Sequence, residues 1–429
     1  MKRQFLFVLA ALGASVGLAT SLNFTIVNDH DDLIYKVGEE ATFTVTATCD
    51  KAVATNGTVE VTLDNFGPRE QLKRKVDLAV ENPFTVKGRM DEPGFLRLTL
   101  ESKGSRSQTW SVGYDPTGIR KGSPSPEDFD AFWAAGRARL AKEVPLDAQM
   151  MKIPERCKPE FDYYRVSFAT FGRRVYGYLS VPTDKSKAPY PVEVQVAAAG
   201  FGNWTNDMDG NGNAIKLFFS VYPWEPDWRW KKLGLQKRYD AMNEECKAQY
   251  GCSNYSTAGL SKSREDYFYY PVLLGIDRAV DWVVARPDVD RTRVWYQGTS
   301  QGGGFGFYLT GLNHSFTRAA FFVPAITDTL GSLKGRMSGW PRIVENQKAE
   351  NRAAVERLAP YFDGANFASR ITCPVRIAVG FADTTCPPCA VYASYNEIKV
   401  ADKGIVHGFG MGHGCFGKFY EELGKWLRK

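Results

Sequence analysis

The stretch Gly298-Thr299-Ser300-Gln301-Gly302 constrains this chain more than any other. It follows Val294 to Gln297, which reads as a buried strand, and it precedes Gly303 to Leu312, which reads as a glycine-rich helix. Glycines two residues before and two after a serine let neighbouring backbone pass where a Cβ would clash, as the strained turn between a strand and a helix requires. The pattern therefore predicts a nucleophile elbow, with Ser300 raised at the end of a strand.

The surrounding sequence supplies a sheet to carry such a turn. Phe161 to Pro182 has the pattern of a two-stranded hairpin, and Pro191 to Ala199 that of a buried strand. A long helix is predicted over Asp266 to Ala285, then strands at Ala319 to Val323 and Val375 to Gly380, and helices over Cys389 to Ile398 and Phe416 to Leu427. Upstream, Ser125-Pro126-Glu127-Asp128 before Phe129, Phe132 and Trp133 has the form of a capped helix start. Strands alternating with helices predict an α/β fold, a mostly parallel sheet covered by helices.

A serine hydroxyl becomes a useful nucleophile only when a base removes its proton. The chain has four histidines. His30 lies far upstream, and His314 falls just after the helix that Ser300 opens. His407 ends a predicted strand, whereas His413 sits in the glycine-rich loop Gly408 to Gly414 before the final helix, where a fold of this kind carries its base. His413 is therefore the expected base. Asp383, directly after the strand Val375 to Gly380, is the expected acid that orients it, while Asp363 precedes its nearest strand and reads as a turn residue. Backbone N–H groups of Gln301 and of Phe201, in Gly200-Phe201-Gly202 after the buried strand, are the candidate oxyanion donors.

Residues 22–115 have a different character. Runs such as Ala41 to Ala47, Gly57 to Leu63 and Phe95 to Leu100 alternate apolar and polar residues between turn pairs such as Asn56-Gly57, which predicts an immunoglobulin-like β-sandwich. Residues 116–126, rich in Gly, Pro and Ser, read as a linker, and 127–429 as the catalytic domain. Because every expected catalytic residue follows the linker, the sandwich is expected to be separable: without residues 22–115 the remainder should still cleave a small ester.

Residues 1–21 read as a signal peptide: a basic start at Lys2-Arg3, an apolar Phe5 to Leu18, and a small-residue exit at Ala19-Thr20-Ser21. The apolar run falls short of the ~20 residues a spanning helix needs, so a secreted or periplasmic protein is expected, not an integral membrane one. Export would permit disulfides, and Cys246/Cys252 and Cys386/Cys389 are the close pairs that could form them, whereas Cys49, Cys157, Cys373 and Cys415 are expected to be free and buried. The net charge of +6, from 54 Lys and Arg against 48 Asp and Glu, is spread without a basic run and gives no nucleic-acid footprint. No cofactor or metal site is expected. Asp207 to Gly212 resembles the start of a calcium loop, but its twelfth position is Phe218 instead of the bidentate Glu.

Four ordered segments carry a family resemblance: Pro126 to Trp133, Gly298 to Gly304, Tyr361 to Ala368 and Gly380 to Pro388. Over residues 120–429 the chain resembles the acetyl xylan esterases and cephalosporin-C deacetylases. The resemblance implies an α/β-hydrolase that removes acetyl groups from sugars, with Ser300, Asp383 and His413 at the family's catalytic positions. It implies an acetylated oligosaccharide or polysaccharide as partner and a cramped acyl pocket; a homo-oligomer is compatible with it. Where the family has an Arg-Gly-Gln motif, this chain has a Trp-rich stretch, so Trp224, Trp228 and Trp230 are candidate sugar-stacking residues. The competing readings are a serine peptidase of the same fold and a broad small-ester carboxylesterase.

Overall fold

The computed structural model describes residues 21–200, 210–225, 227, 229, 233–414 and 417–429. Apart from Ser21, the expected signal peptide lies outside them, as do Phe201, Trp228, Trp230 and Cys415. No helix among the described residues is long and apolar enough to cross a membrane.

Residues 23–114 form strands β1 (Asn23–Asn28), β2 (Ile34–Tyr35), β3 (Ala41–Cys49), β4 (Ala52–Val53), β5 (Thr58–Asp64), β6 (Glu70–Asp77), β7 (Phe84–Gly88), β8 (Gly94–Glu101) and β9 (Gln108–Tyr114). Alternation sets their faces: in β3, Ala41, Phe43, Val45 and Ala47 are buried, with more exposed residues between them. One sheet has the order β1-β3-β4, with β7 also paired to β3 on the side away from β1, and the second the order β2-β9-β8-β5-β6. Together they make an all-β sandwich of immunoglobulin-like character.

The second part runs α1 (Phe129–Glu143), β10 (Gln149–Lys152), β11 (Phe161–Thr170), β12 (Arg173–Pro182), β13 (Tyr190–Val196), β14 (Ile215–Ser220), α2 (Leu235–Tyr250), α3 (Tyr269–Val284), β15 (Val289–Thr299) and α4 (Gln301–Leu312). It continues through β16 (Arg318–Phe322), α5 (Ala349–Leu358), α6 (Gly364–Ala368), β17 (Val375–Gly380), α7 (Pro388–Glu397), β18 (Lys403–Gly408) and α8 (Lys418–Leu427). Its sheet has the order β10-β11-β12-β14-β13-β15-β16-β17-β18. Pairing is antiparallel from β10 through β12 to β14, and parallel from β14 to β18. This is the α/β-hydrolase fold. The central strands are buried on both faces: six of the seven residues of β13 are buried, including Glu193, which stands between two valines. Sequence periodicity does not foresee α2 or β14.

Local chemistry departs from expectation in three places. Asp128 precedes α1 but accepts no capping bond from it; its carboxylate instead receives Tyr361 Oη and Arg264 Nη1. The two close cysteine pairs are free thiols, and Cys252 Sγ donates to the Cys246 carbonyl at 3.4 Å. Cys49 and Cys157 are half-buried, whereas Cys373 is buried as expected.

The third departure concerns residues 116–126, which are tied down along their length. Asn396 Nδ2 donates to the carbonyls of Pro116 and Ile119 at 3.0 and 2.8 Å. Gly122 N–H donates to Asp328 at 2.6 Å, Ser123 Oγ donates to Asp363, and Asn366 donates to the Pro124 carbonyl at 2.9 Å. Asp363 is thus a buried hub that also accepts Thr329 N–H at 2.7 Å and caps α6, in keeping with a structural and not a catalytic residue.

Nor does the sandwich stand apart. Phe95 of β8 meets Phe381 edge-on at 5.1 Å, and Ser111 Oγ of β9 donates to the Phe381 carbonyl at 2.6 Å. At the β5–β6 turn, the Phe66 carbonyl accepts Met337 N–H at 2.6 Å and Asn65 Nδ2 donates to Gly335 O at 3.0 Å. These contacts weigh against a separable sandwich, since the Phe381 carbonyl and Met337 N–H of the hydrolase find their partners in it.

Candidate active site

Ser300 stands between β15 and α4 with φ 55° and ψ −118°, a left-handed conformation that a non-glycine residue adopts only under constraint. The constraint is visible on both sides: a Cβ on Gly298 would overlap the Gly302 carbonyl, and one on Gly302 would overlap the Val196 carbonyl of β13. Ser300 N–H is held by the Phe322 carbonyl at 2.9 Å. Ser300 is 7% exposed and lines the cavity above it.

The structure brings together the three side chains expected to act. His413 Nε2 lies 2.9 Å from Ser300 Oγ, and His413 Nδ1 lies 2.9 Å from Asp383 Oδ2. The other carboxylate oxygen of Asp383 accepts the N–H groups of Thr385 and Cys386 at 2.8 and 2.9 Å. With both oxygens of this fully buried carboxylate engaged, Nδ1 of His413 carries the proton and Nε2 is left to accept from the serine.

This arrangement makes Asp383→Asn a sharp test. The asparagine must keep its oxygen on the two backbone donors, so its NH₂ faces His413 Nδ1, which then has to accept. The ring proton moves to Nε2 and the base is lost. A fall in kcat of about 10⁴-fold is expected with the thermal midpoint nearly unchanged; steady-state turnover and calorimetry measure the two, and a loss under tenfold would mean that the acid lies elsewhere.

His407 has another place. Its Nε2 lies 2.6 Å from Tyr392 Oη, it packs against both Phe381 and Phe409, and burial holds its pKa below the usual imidazole value.

Gln301 begins α4, so its N–H has no intrahelical partner. Its side chain fixes this end of the helix: Oε1 accepts Tyr255 Oη at 2.8 Å and Tyr269 Oη at 2.6 Å, and Nε2 donates to the Ala197 carbonyl at 3.0 Å. Neither tyrosine is singled out by sequence, because buried aromatic residues are common and only the fold aims these two at Gln301. Phe201, the other oxyanion candidate, lies outside the described residues.

The cavity at Ser300 has a volume of about 400 Å³ and is walled by Gln195, Gln297, Thr299, Phe218, Tyr420 and His413. Buried Glu193 accepts the Nε2 groups of both Gln195 and Gln297, which orients the two amides. The structure does not bring Trp224 to this cavity. That ring is 5% exposed, stacks on Tyr222 at 5.4 Å and 9°, and carries the Arg238 guanidinium 5.3 Å from its centre. Trp224 is therefore a packed residue beside a separate cavity and not an open stacking face.

Among the described residues, Asp383, Cys386 and His413 form a cluster whose potential metal-ligand atoms lie within 4.8 Å of one another. The carboxylate and the imidazole are already bonded to each other, and burial pushes the Cys386 thiol well above its usual pKa, so the cluster is poorly suited to a cation.

Fold, elbow and hydrogen-bonded Ser-His-Asp array together define the arrangement of an α/β-hydrolase. Residues 118–429 match the acetyl xylan esterase (AXE1) family, and the chain belongs to it. The acetyl esterase Axe7A of Xylanibacter ruminicola is 30% identical over 423 residues, covering 94% of this chain and 92% of that protein, so the likeness takes in the sandwich as well. An acetyl xylan esterase from Paenibacillus sp. R4 has the same fold with a TM-score of 0.60 and 24% identity, over 73% of this chain and 97% of that one. Acetyl xylan esterase 1 from Thermoanaerobacterium sp. JW/SL YS485 gives 0.58 and 19%, over 73% and 96%.

Proposed function

We propose that the protein is an exported carboxylic ester hydrolase that removes acetyl groups from acetylated oligosaccharides or polysaccharides, using Ser300, His413 and Asp383. The observation that carries this reading is the unbroken hydrogen-bonded path from Ser300 Oγ through His413 to Asp383, in a chain of the acetyl xylan esterase family. Ser300 Oγ attacks the acetyl carbonyl while His413 Nε2 takes its proton. The carbonyl oxygen becomes an oxyanion, and Gln301 N–H is the donor beside it. Collapse of the tetrahedral species expels the sugar alkoxide, which takes the proton back from His413 and leaves an acetyl-enzyme. Water, deprotonated by the same nitrogen, attacks this ester; the second tetrahedral species collapses, the imidazolium returns its proton to Ser300 Oγ, and acetic acid leaves and ionises to acetate. Asp383 keeps the ring oriented and balances the imidazolium in both halves. Two amides fixed by Glu193 at the cavity wall suit a substrate rich in hydroxyl groups. The signal-peptide pattern of residues 1–21 supports export, and residues 22–115 and 127–429 would be the two domains.

The test is a substrate panel: acetylated xylo-oligosaccharides, nitrophenyl esters of rising acyl length and an aminoacyl nitroanilide. Acetyl esters should be cleaved far faster than butyryl esters. One methylene alters binding by only ~1–3 kcal/mol, so a steep fall marks steric exclusion by the acyl pocket. A flat profile would favour a broad carboxylesterase, and preferential anilide cleavage a peptidase.

A further inference from the structure

We propose that Trp110 and Ser111, neighbours on β9 of the N-terminal sandwich, are positioning residues for His413 and Asp383, so that a domain holding none of the reacting groups completes the active site. The inference rests on the reading of Ser300, His413 and Asp383 given above. These two adjacent residues touch both loops that carry the acid and the base.

Ser111 is fully buried and donates its hydroxyl to the carbonyl of Phe381, two residues before Asp383. A hydrogen bond to a peptide carbonyl fixes the orientation of that peptide plane as well as filling space. Phe95 of β8 closes on the Phe381 ring from the same domain. Trp110 lies against Gly410, three residues before His413. Gly410 has φ +64°, and a Cβ there would overlap the indole, so the loop takes a path open only to glycine with the ring pressed against it. The indole is itself held, its Nε1 donating to Asn28 Oδ1 at 2.8 Å.

The two loops are also joined to each other. Phe381 N–H donates to the Gly408 carbonyl at 3.0 Å, and Ala382 N–H to the Met411 carbonyl at 2.9 Å. β9 thus braces a cross-linked pair of loops from outside, and the bond between His413 and Asp383 is the inner edge of that brace. Catalytic geometry tolerates displacements well below 1 Å, so support of this kind governs rate more than substrate affinity.

The experiment uses the full-length protein with Ser111→Ala, Trp110→Phe and Gly410→Ala, and Lys87→Ala, on the far sheet of the sandwich, as the control. Rates are counted per active site titrated with a serine-directed organophosphonate, which removes any contribution from unfolded enzyme. For Ser111→Ala and Gly410→Ala, kcat should fall about tenfold or more with KM within about twofold, equally on nitrophenyl acetate and on acetylated xylo-oligosaccharide. The far-downfield proton resonance of the His413–Asp383 hydrogen bond should shift or broaden in both. Trp110→Phe, which keeps a ring but loses the bond to Asn28, should move the same two readouts by less, and Lys87→Ala should move neither. Wild-type kcat and an unmoved resonance in Ser111→Ala and Gly410→Ala would overturn the proposal, as would a loss confined to KM for the oligosaccharide, which would make Trp110 a sugar contact. If Ser300→Ala kept its activity, the underlying reading of the site would fall instead.

Discussion

Exchange of Ser300 for alanine is expected to lower kcat on nitrophenyl acetate by about 10⁶-fold, and His413→Ala by a similar factor. The two side chains form one device: the serine has no thermodynamic route to attack unless Nε2 of His413 takes its proton, and the imidazole has nothing to activate once the hydroxyl is gone. The double variant should therefore be no worse than either single one. Removing one hydroxyl from an elbow fixed by surrounding backbone should leave the fold intact, so the circular dichroism spectrum and thermal midpoint should stay near those of the unaltered protein. His407→Ala is the internal control, since that ring pairs with Tyr392 and does not reach Ser300. Comparable loss in His407→Ala, with turnover kept in His413→Ala, would reverse the assignment.

The second large effect is expected from removing the sandwich. A chain beginning at residue 116 should accumulate as insoluble protein or show no measurable turnover of a small acetyl ester. It loses the Ser111 hydroxyl from Phe381 and the Phe66 carbonyl from Met337 N–H, and it exposes the Phe381 and Tyr392 rings that Phe95 covers. A buried polar group left unpartnered costs ~1–3 kcal/mol and an aromatic pair adds ~0.5–1.5, while a whole domain is stable by only ~5–15. Solubility, active-site titration and turnover check this together. A soluble fragment with the kcat of the intact chain would show the sandwich to be dispensable.

What sequence conveys here follows from the range of each constraint. The elbow is legible because glycine at positions 298 and 302 meets a requirement of nearby backbone, and Asp383 and His413 because each follows its strand at a characteristic place. Strand β17 is foreseen with its observed limits, since four of its six residues, beginning with Ile377, are continuously buried. The brace on the acid loop is not legible. Ser111 sits in an alternating strand, where a polar residue reads as solvent-facing, and only a partner 270 positions away buries it. Trp224 fails for a related reason: a Trp-rich stretch looks the same whether a ring faces a sugar or, as that of Trp224 does, Tyr222 and Arg238. Cysteine spacing carries no information on sulfur geometry, so the two close pairs could not be read as thiols in advance.

The anchoring of residues 116–126 bears on how such a chain can be inherited. Their composition marks an apparent splice point, yet Gly122, Ser123 and Pro124 are bonded to Asp328, Asp363 and Asn366, and Pro116 and Ile119 to Asn396. A recombination event that grafted a foreign upstream domain at this seam would strand those four hydrolase side chains without their partners. Residues on the two sides of the seam are therefore expected to drift only in company, and the sandwich to be passed on with its hydrolase as one unit instead of being traded among unrelated enzymes.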